Sequence, residues 1–123
     1  MTQRQLISSG SPYEAVAGYS RAVKAGGFVF VSGTTSGGIG EDAAAQAREI
    51  LDRIGKALAE AGATFADTVR TRAYLTSIAD FEAVAAVHGE VFSEIRPAFA
   101  VVEVGALAGG ALVEIELDAL IAD

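Results

Sequence analysis

Glu114, Glu116 and Asp118 stand at every second position of the segment 112–120, and Arg70, Arg72 and Tyr74 do the same within 68–75. Residues two apart on a strand share a face. A carboxylate on such a face can orient or deprotonate water. Three in a row can equally be a solvated face, or can pair with arginines across a subunit interface, where opposite charges on adjacent strands stabilise modestly. The one histidine, His88, falls on the apolar side of a helical pattern and reads as a satisfied core residue before a catalytic one. Ser32 has no His-Asp partners in a motif, so a nucleophilic triad is not expected. The loop 33–40 lacks the lysine and spacing of a phosphate loop. There is no cysteine, which excludes disulfides, thiolate metal sites and thiol nucleophiles, and no histidine cluster suggests a metal. Neither a metal nor a cofactor is expected.

The elements that must position these residues follow from periodicity. Tyr19–Lys24 and Phe28–Ser32 read as strands joined by Ala25-Gly26-Gly27, whose glycines permit the positive φ of a tight hairpin. Asp42 is placed to cap a helix from Ala43 to Ala61, in which Ala47, Ile50, Leu51, Ile54 and Leu58 recur at three and four, and Gly62 ends it. In 68–75, Val69, Thr71, Ala73 and Leu75 form the inward face. A second helix runs from Asp80, read as its N-cap, to Phe92, with Phe81, Val84, Val87, His88, Val91 and Phe92 on its apolar side. Pro97 precedes a strand, Ala98–Val104. The last strand, Leu112–Leu120, turns Val113, Ile115, Leu117 and Ala119 inward. The order is β-β-α-β-α-β-β, an α+β fold. Two helices cannot cover both faces of one sheet, so they are expected together on one face.

One domain accounts for residues 1–123, and an apolar fraction near half suffices for a core. The net charge of −7 and the lack of any basic run argue against nucleic-acid and membrane-surface partners. No apolar run is long enough to span a bilayer, and the polar start, Met1–Gly10, has no signal-peptide pattern. A cytoplasmic location is the simplest expectation.

Several segments, in order, resemble the reactive-intermediate deaminases, the Rid (YjgF) family. These are Tyr19 with Ala25-Gly26-Gly27-Phe28-Val29-Phe30-Val31-Ser32-Gly33, Ala45-Gln46-Ala47-Arg48 with Ala61-Gly62-Ala63, Val69-Arg70-Thr71-Arg72-Ala73-Tyr74-Leu75 with Asp80-Phe81, Arg96-Pro97-Ala98, Val102-Glu103-Val104 and Val113-Glu114-Ile115-Glu116. The resemblance implies a chorismate-mutase-like fold, one mixed sheet, and a homotrimer with small-molecule sites in the clefts between subunits. It implies hydrolysis of 2-imino or enamine acids to 2-keto acids and ammonia. Glu114 matches the water-handling glutamate, and Tyr19, Ser32, Gly33, Phe99 and Val101 match cleft-lining positions.

This chain departs from the family pattern at one point of consequence. The deaminases follow Pro-Ala with an arginine that holds the substrate carboxylate; here Pro97-Ala98 is followed by Phe99. A ring cannot form that ion pair. Arg96 lies three residues earlier, an offset that on an extended strand faces the other way, about 10 Å off; the intervening proline can alter that direction. A helix asparagine of the deaminases is replaced at Ala85. The expected substrate is therefore a small imine, enamine or related carbonyl compound that lacks a carboxylate or presents it to another group. Weak turnover of the imines from serine and threonine is expected. The alternative is a trimer that binds an apolar small molecule without turnover. A ribonuclease label borne by some relatives fits poorly with an acidic chain that has no pair of histidines.

Overall fold

The computed structural model describes residues 3–122. Its strands are β1 (Arg4–Ile7), β2 (Ala22–Ala25), β3 (Phe28–Thr34), β4 (Thr68–Leu75), β5 (Ala98–Glu103) and β6 (Val113–Leu120). Its helices are α1 (Tyr13–Ala17), α2 (Ala43–Glu60) and α3 (Phe81–Phe92). The strands form one sheet in the order β1-β2-β3-β6-β4-β5. All neighbours are antiparallel except β4 and β5, which are parallel. The mixed α+β architecture is the one the sequence pattern implies, with two additions, β1 and α1. The first hairpin is correspondingly shorter at its start: Tyr19, Ser20 and Arg21 precede β2, and β3 continues to Thr34.

α2 and α3 pack on one face of the sheet. α2 is held by the predicted cap, in which Asp42 Oδ1 accepts from the Ala45 amide at 2.8 Å. At its other end Gly62 has φ 80°, a left-handed turn that favours glycine. Ile50, Ile54 and Leu58 of α2 meet Val29, Val31, Val113, Ile115 and Leu117 of the sheet, all buried. Burying one such aliphatic side chain contributes about 1.5–3 kcal/mol before ordering entropy is charged against it.

Three details correct the expectations. The Asp80 side chain makes no cap hydrogen bond; Ser77 instead caps a short 3-10 turn, Ile78–Asp80, that leads into α3. Phe81 is exposed, outside the apolar face of α3. In β4, the pairing with β6 shifts between Thr68 and Arg70. That bulge buries Thr68 and leaves Val69 exposed, because one extra residue reverses the alternation on its side.

The uncovered face carries the polar ladder. Arg70, Arg72 and Tyr74 of β4 stand opposite Asp118, Glu116 and Glu114 of β6. Tyr74 donates a hydrogen bond to Glu116, and Arg72 pairs with Asp118 at 3.6 Å. Beside this ladder the same face exposes Phe28, Phe30, Val102 and Leu120, with the two phenyl rings stacked at 5.6 Å.

Candidate functional site

The site begins where α1 ends. Gly18, at φ 76°, turns the chain out of the helix and sends Tyr19, Ser20 and Arg21 toward the sheet. The Tyr19 amide donates to the Glu14 carbonyl at 3.0 Å, which fixes where the ring starts. In β3 the pairing with β6 shifts between Val31 and Thr34. Ser32 and Gly33 occupy this irregularity, a device common beside functional sites because it re-aims side chains.

Glu114, on β6, lies directly against Gly33. A Cβ built on Gly33 would stand 2.6 Å from Glu114 Oε2 and 2.9 Å from its carboxyl carbon. Gly33 therefore supplies the space in which the carboxylate sits. Burial raises the Glu114 pKa above the ordinary carboxylate value, Glu116 raises it further, and the Arg21 cation opposes both. A carboxyl group held in this way is suited to take and return a proton closer to neutral pH than a solvated one.

Arg21 was not singled out from the sequence. Its Nη1 donates to the Gly33 carbonyl at 2.7 Å and to Thr34 Oγ1 at 2.8 Å, and its Nη2 donates to the Tyr19 hydroxyl at 3.2 Å. Its guanidinium carbon lies 5.4 Å from the Tyr19 ring centroid. The available signal was its position two residues after Tyr19. Ser32 donates its hydroxyl to the Ser20 carbonyl at 2.6 Å, so that group braces the loop. Tyr19, Ser32, Gly33 and Glu114 thus form one cluster, joined by Arg21.

Phe99 and Val101 lie elsewhere on the chain. Phe99 pairs with Thr71 and Val101 with Ala73, which turns both toward the helices, whereas Glu114 faces away from them. Val101 packs against the core. The Phe99 ring stacks on His88 of α3, centroids 4.0 Å apart and planes 14° apart. His88 Nε2 is hydrogen-bonded to Thr71 Oγ1 at 2.8 Å, and burial holds its pKa below the ordinary histidine value. A neutral, partnered, stacked ring is what a core histidine requires.

Phe99, Phe92, His88 and Ser93 line a hollow of about 360 Å³, and Arg96 lines it too. Arg96 therefore borders the same hollow as Phe99, the outcome that the intervening proline left open. Arg96 has φ 56°, and β5 begins only at Ala98, so the alternation of an extended strand does not extend back to Arg96. Among the described residues there is no group of three or more side chains able to hold a metal ion, and no helix is long and apolar enough to cross a membrane.

The family model described as Endoribonuclease L-PSP matches residues 9–121. The chain is 35% identical to the 3-aminoacrylate deaminase RutC of Acinetobacter baylyi, over 94% of this chain and 95% of that protein. It is 32% identical to the human 2-iminobutanoate/2-iminopropanoate deaminase, over 95% of this chain and 90% of the relative. Among solved structures, a YjgF-family protein from Mycobacterium tuberculosis superposes with a TM-score of 0.93 at 52% identity, covering 97% of this chain and all of the other.

Proposed function

The chain belongs to the Rid (YjgF) family, and we infer that it hydrolyses a small imine or enamine in clefts between the subunits of a homotrimer. Some members of this family are imine or enamine deaminases. The observation that carries the reading to this chain is Glu114, lodged against Gly33 with its pKa raised by burial. Water adds to the C=N carbon while Glu114 accepts one of its protons and returns it to nitrogen, which gives a carbinolamine. Glu114 then takes the hydroxyl proton and delivers it to the amino nitrogen as the C–N bond breaks, so that a carbonyl compound and ammonia leave and the carboxylate is restored. Tyr19 and Arg21 line the near side of this reaction. Exclusion of bulk water strengthens each of these interactions.

The trimer has its own support. The open face exposes Phe28 at 41%, Phe30 at 44%, Val102 at 47% and Leu120 at 42%. An apolar cluster such as Phe28, Phe30 and Leu120, with Val102 across the charged ladder from it, is the pattern of a protein interface. Closure by a cyclic axis would bring the Phe99–His88 hollow of one subunit toward the Glu114 cluster of the next. Catalysis of RNA cleavage is disfavoured by the charge of −7, which repels a phosphate backbone, and by the single histidine. The second reading, a binding trimer without turnover, is favoured by one observation: Phe99 is stacked on His88 and carries no charge.

One experiment separates the two. Imines are generated in situ by an amino-acid oxidase, and carbonyl product and ammonia are followed with and without the protein. Acceleration that disappears in Glu114→Gln is expected. A panel of carboxylated and neutral imines that shows no acceleration favours the binding trimer. Light scattering on the eluting protein should report three subunits; a monomer at micromolar concentration rules out a shared cleft.

A further inference from the structure

We propose that Arg21 is a specificity-determining residue: its guanidinium holds the carboxylate of a 2-imino or 2-oxo acid beside Glu114. This deepens the function inferred above and rests on it for the location of the reacting atoms. A guanidinium has five N–H donors. Among the described residues, Nη1 uses both of its hydrogens, on the Gly33 carbonyl and Thr34 Oγ1, and Nη2 uses one, on the Tyr19 hydroxyl. Nε and the second hydrogen of Nη2 have no partner among the described residues. These two nitrogens share an edge of the guanidinium plane, the fork that accepts a carboxylate through two charge-assisted hydrogen bonds.

The charge is uncommitted as well. All three of Arg21's acceptors are neutral oxygens, and no carboxylate lies within ion-pair distance among the described residues. Glu114 nevertheless feels the cation. Arg21 and Glu114 therefore both lie against Gly33 without neutralising each other. A small ligand whose carboxylate occupies the free edge of Arg21 has its C2 carbon one bond from that carboxylate, within the reach of a site that Glu114 shares. The three fixed contacts have already immobilised the side chain, so little conformational entropy remains to be lost on binding. Phe99 is uncharged and turned toward the helices, and it has no part in holding the anion.

The test compares a carboxylate with its neutral isostere. Pyruvate and pyruvamide are titrated calorimetrically into the trimeric or otherwise native wild-type protein, Arg21→Gln and Arg21→Lys. Wild type is expected to prefer pyruvate by roughly tenfold or more. Arg21→Gln should bring the preference close to unity while pyruvamide affinity stays within about twofold of wild type. Arg21→Lys, which keeps the charge and loses the fork, should restore part of it. A purely structural role would weaken both ligands together and leave their ratio unchanged, and that result overturns the assignment. If Arg21→Gln does not fold, the Arg21 Nε–H resonance of the wild type decides: it should shift with pyruvate and not with pyruvamide, and an unresponsive resonance overturns the proposal. Wild type that binds neither compound also overturns it. Wild type that shows the Arg21-dependent preference but hydrolyses no imine refutes the inferred hydrolysis and leaves the Arg21 assignment standing.

Discussion

Replacing Gly33 by alanine adds one methyl group at the point where the backbone and the proposed catalytic carboxylate meet. The new Cβ would lie 2.6 Å from Glu114 Oε2. To restore an ordinary 3.4 Å contact the oxygen must retreat by about 0.8 Å, the difference between the two separations. The backbone itself tolerates the change, since Gly33 is not among the glycines with positive φ. Glu114 is the flexible partner, so the side chain moves and the strands do not. Stability should change by less than about 1 kcal/mol, because alanine also removes some freedom from the unfolded chain. Catalysis should suffer far more: a misplacement near 1 Å can cost on the order of 10²-fold, or about 2.7 kcal/mol in barrier height. The assay is kcat/KM for imines generated in situ, alongside a urea unfolding curve for each variant. The double variant Gly33→Ala/Glu114→Gln supplies a cycle. If both changes act through one carboxylate, the double variant loses little beyond Glu114→Gln alone. Full activity in Gly33→Ala, or additive losses in the cycle, would refute the argument that Gly33 exists to seat Glu114.

Glu114→Gln should abolish turnover more completely than Glu116→Gln, which removes a neighbouring charge and leaves an amide oxygen to accept from the Tyr74 hydroxyl; equal losses would contradict the assignment. The same variant carries a pH signature. Because the folded-state pKa of Glu114 is raised, its ionisation costs stability as pH climbs from the ordinary value near 4.5 through the folded value. Glu114→Gln should therefore melt higher than wild type at neutral pH, with the gap closing below about pH 4, and a gap independent of pH would count against the buried carboxylate. Thr71→Val leaves the His88 Nε2 atom without its partner and should cost about 1–3 kcal/mol in urea unfolding. His88 contributes in the opposite pH direction: its lowered pKa keeps it neutral when folded, so stability is complete above the ordinary value of 6.5 and declines as pH falls toward the folded value. Phe99→Arg gives up the stack on His88, worth about 0.5–1.5 kcal/mol. It should raise affinity for small 2-oxo acids roughly tenfold if the hollow of one subunit borders the Glu114 cluster of the next; a folded trimer that binds no better would show that the two do not meet.

Periodicity made the strongest elements legible. The buried set Val113, Ile115, Leu117 and Ala119 alternates in the chain as it does in space, and Ile50, Ile54 and Leu58 recur with the helical period. A run of side chains with one buried face leaves that trace whatever its partners are. β1 and α1 leave none, because only Ile7 of Arg4–Ile7 is buried and nothing in Tyr13–Ala17 is. The Thr68–Val69 reversal was hidden for a different reason: a bulge is a property of the pairing with β6, and pairing is long-range. Glu114 drew notice through its place in a motif. That it sits against Gly33, 81 positions earlier in the chain, was decided only when β3 and β6 came together. Arg21 becomes a candidate ligand because the folded chain brings Gly33, Thr34 and Tyr19 around part of its guanidinium and leaves one edge open. The sequence by itself determined which residues face inward along the regular stretches of α2 and β6, since burial preference is local in its effect there, but not at Thr68, Val69 and Phe81. The direction of Arg96 at its positive φ, the face on which Phe99 lies and the company Glu114 keeps were decided by the tertiary structure, because each depends on backbone geometry and partners that no local pattern encodes.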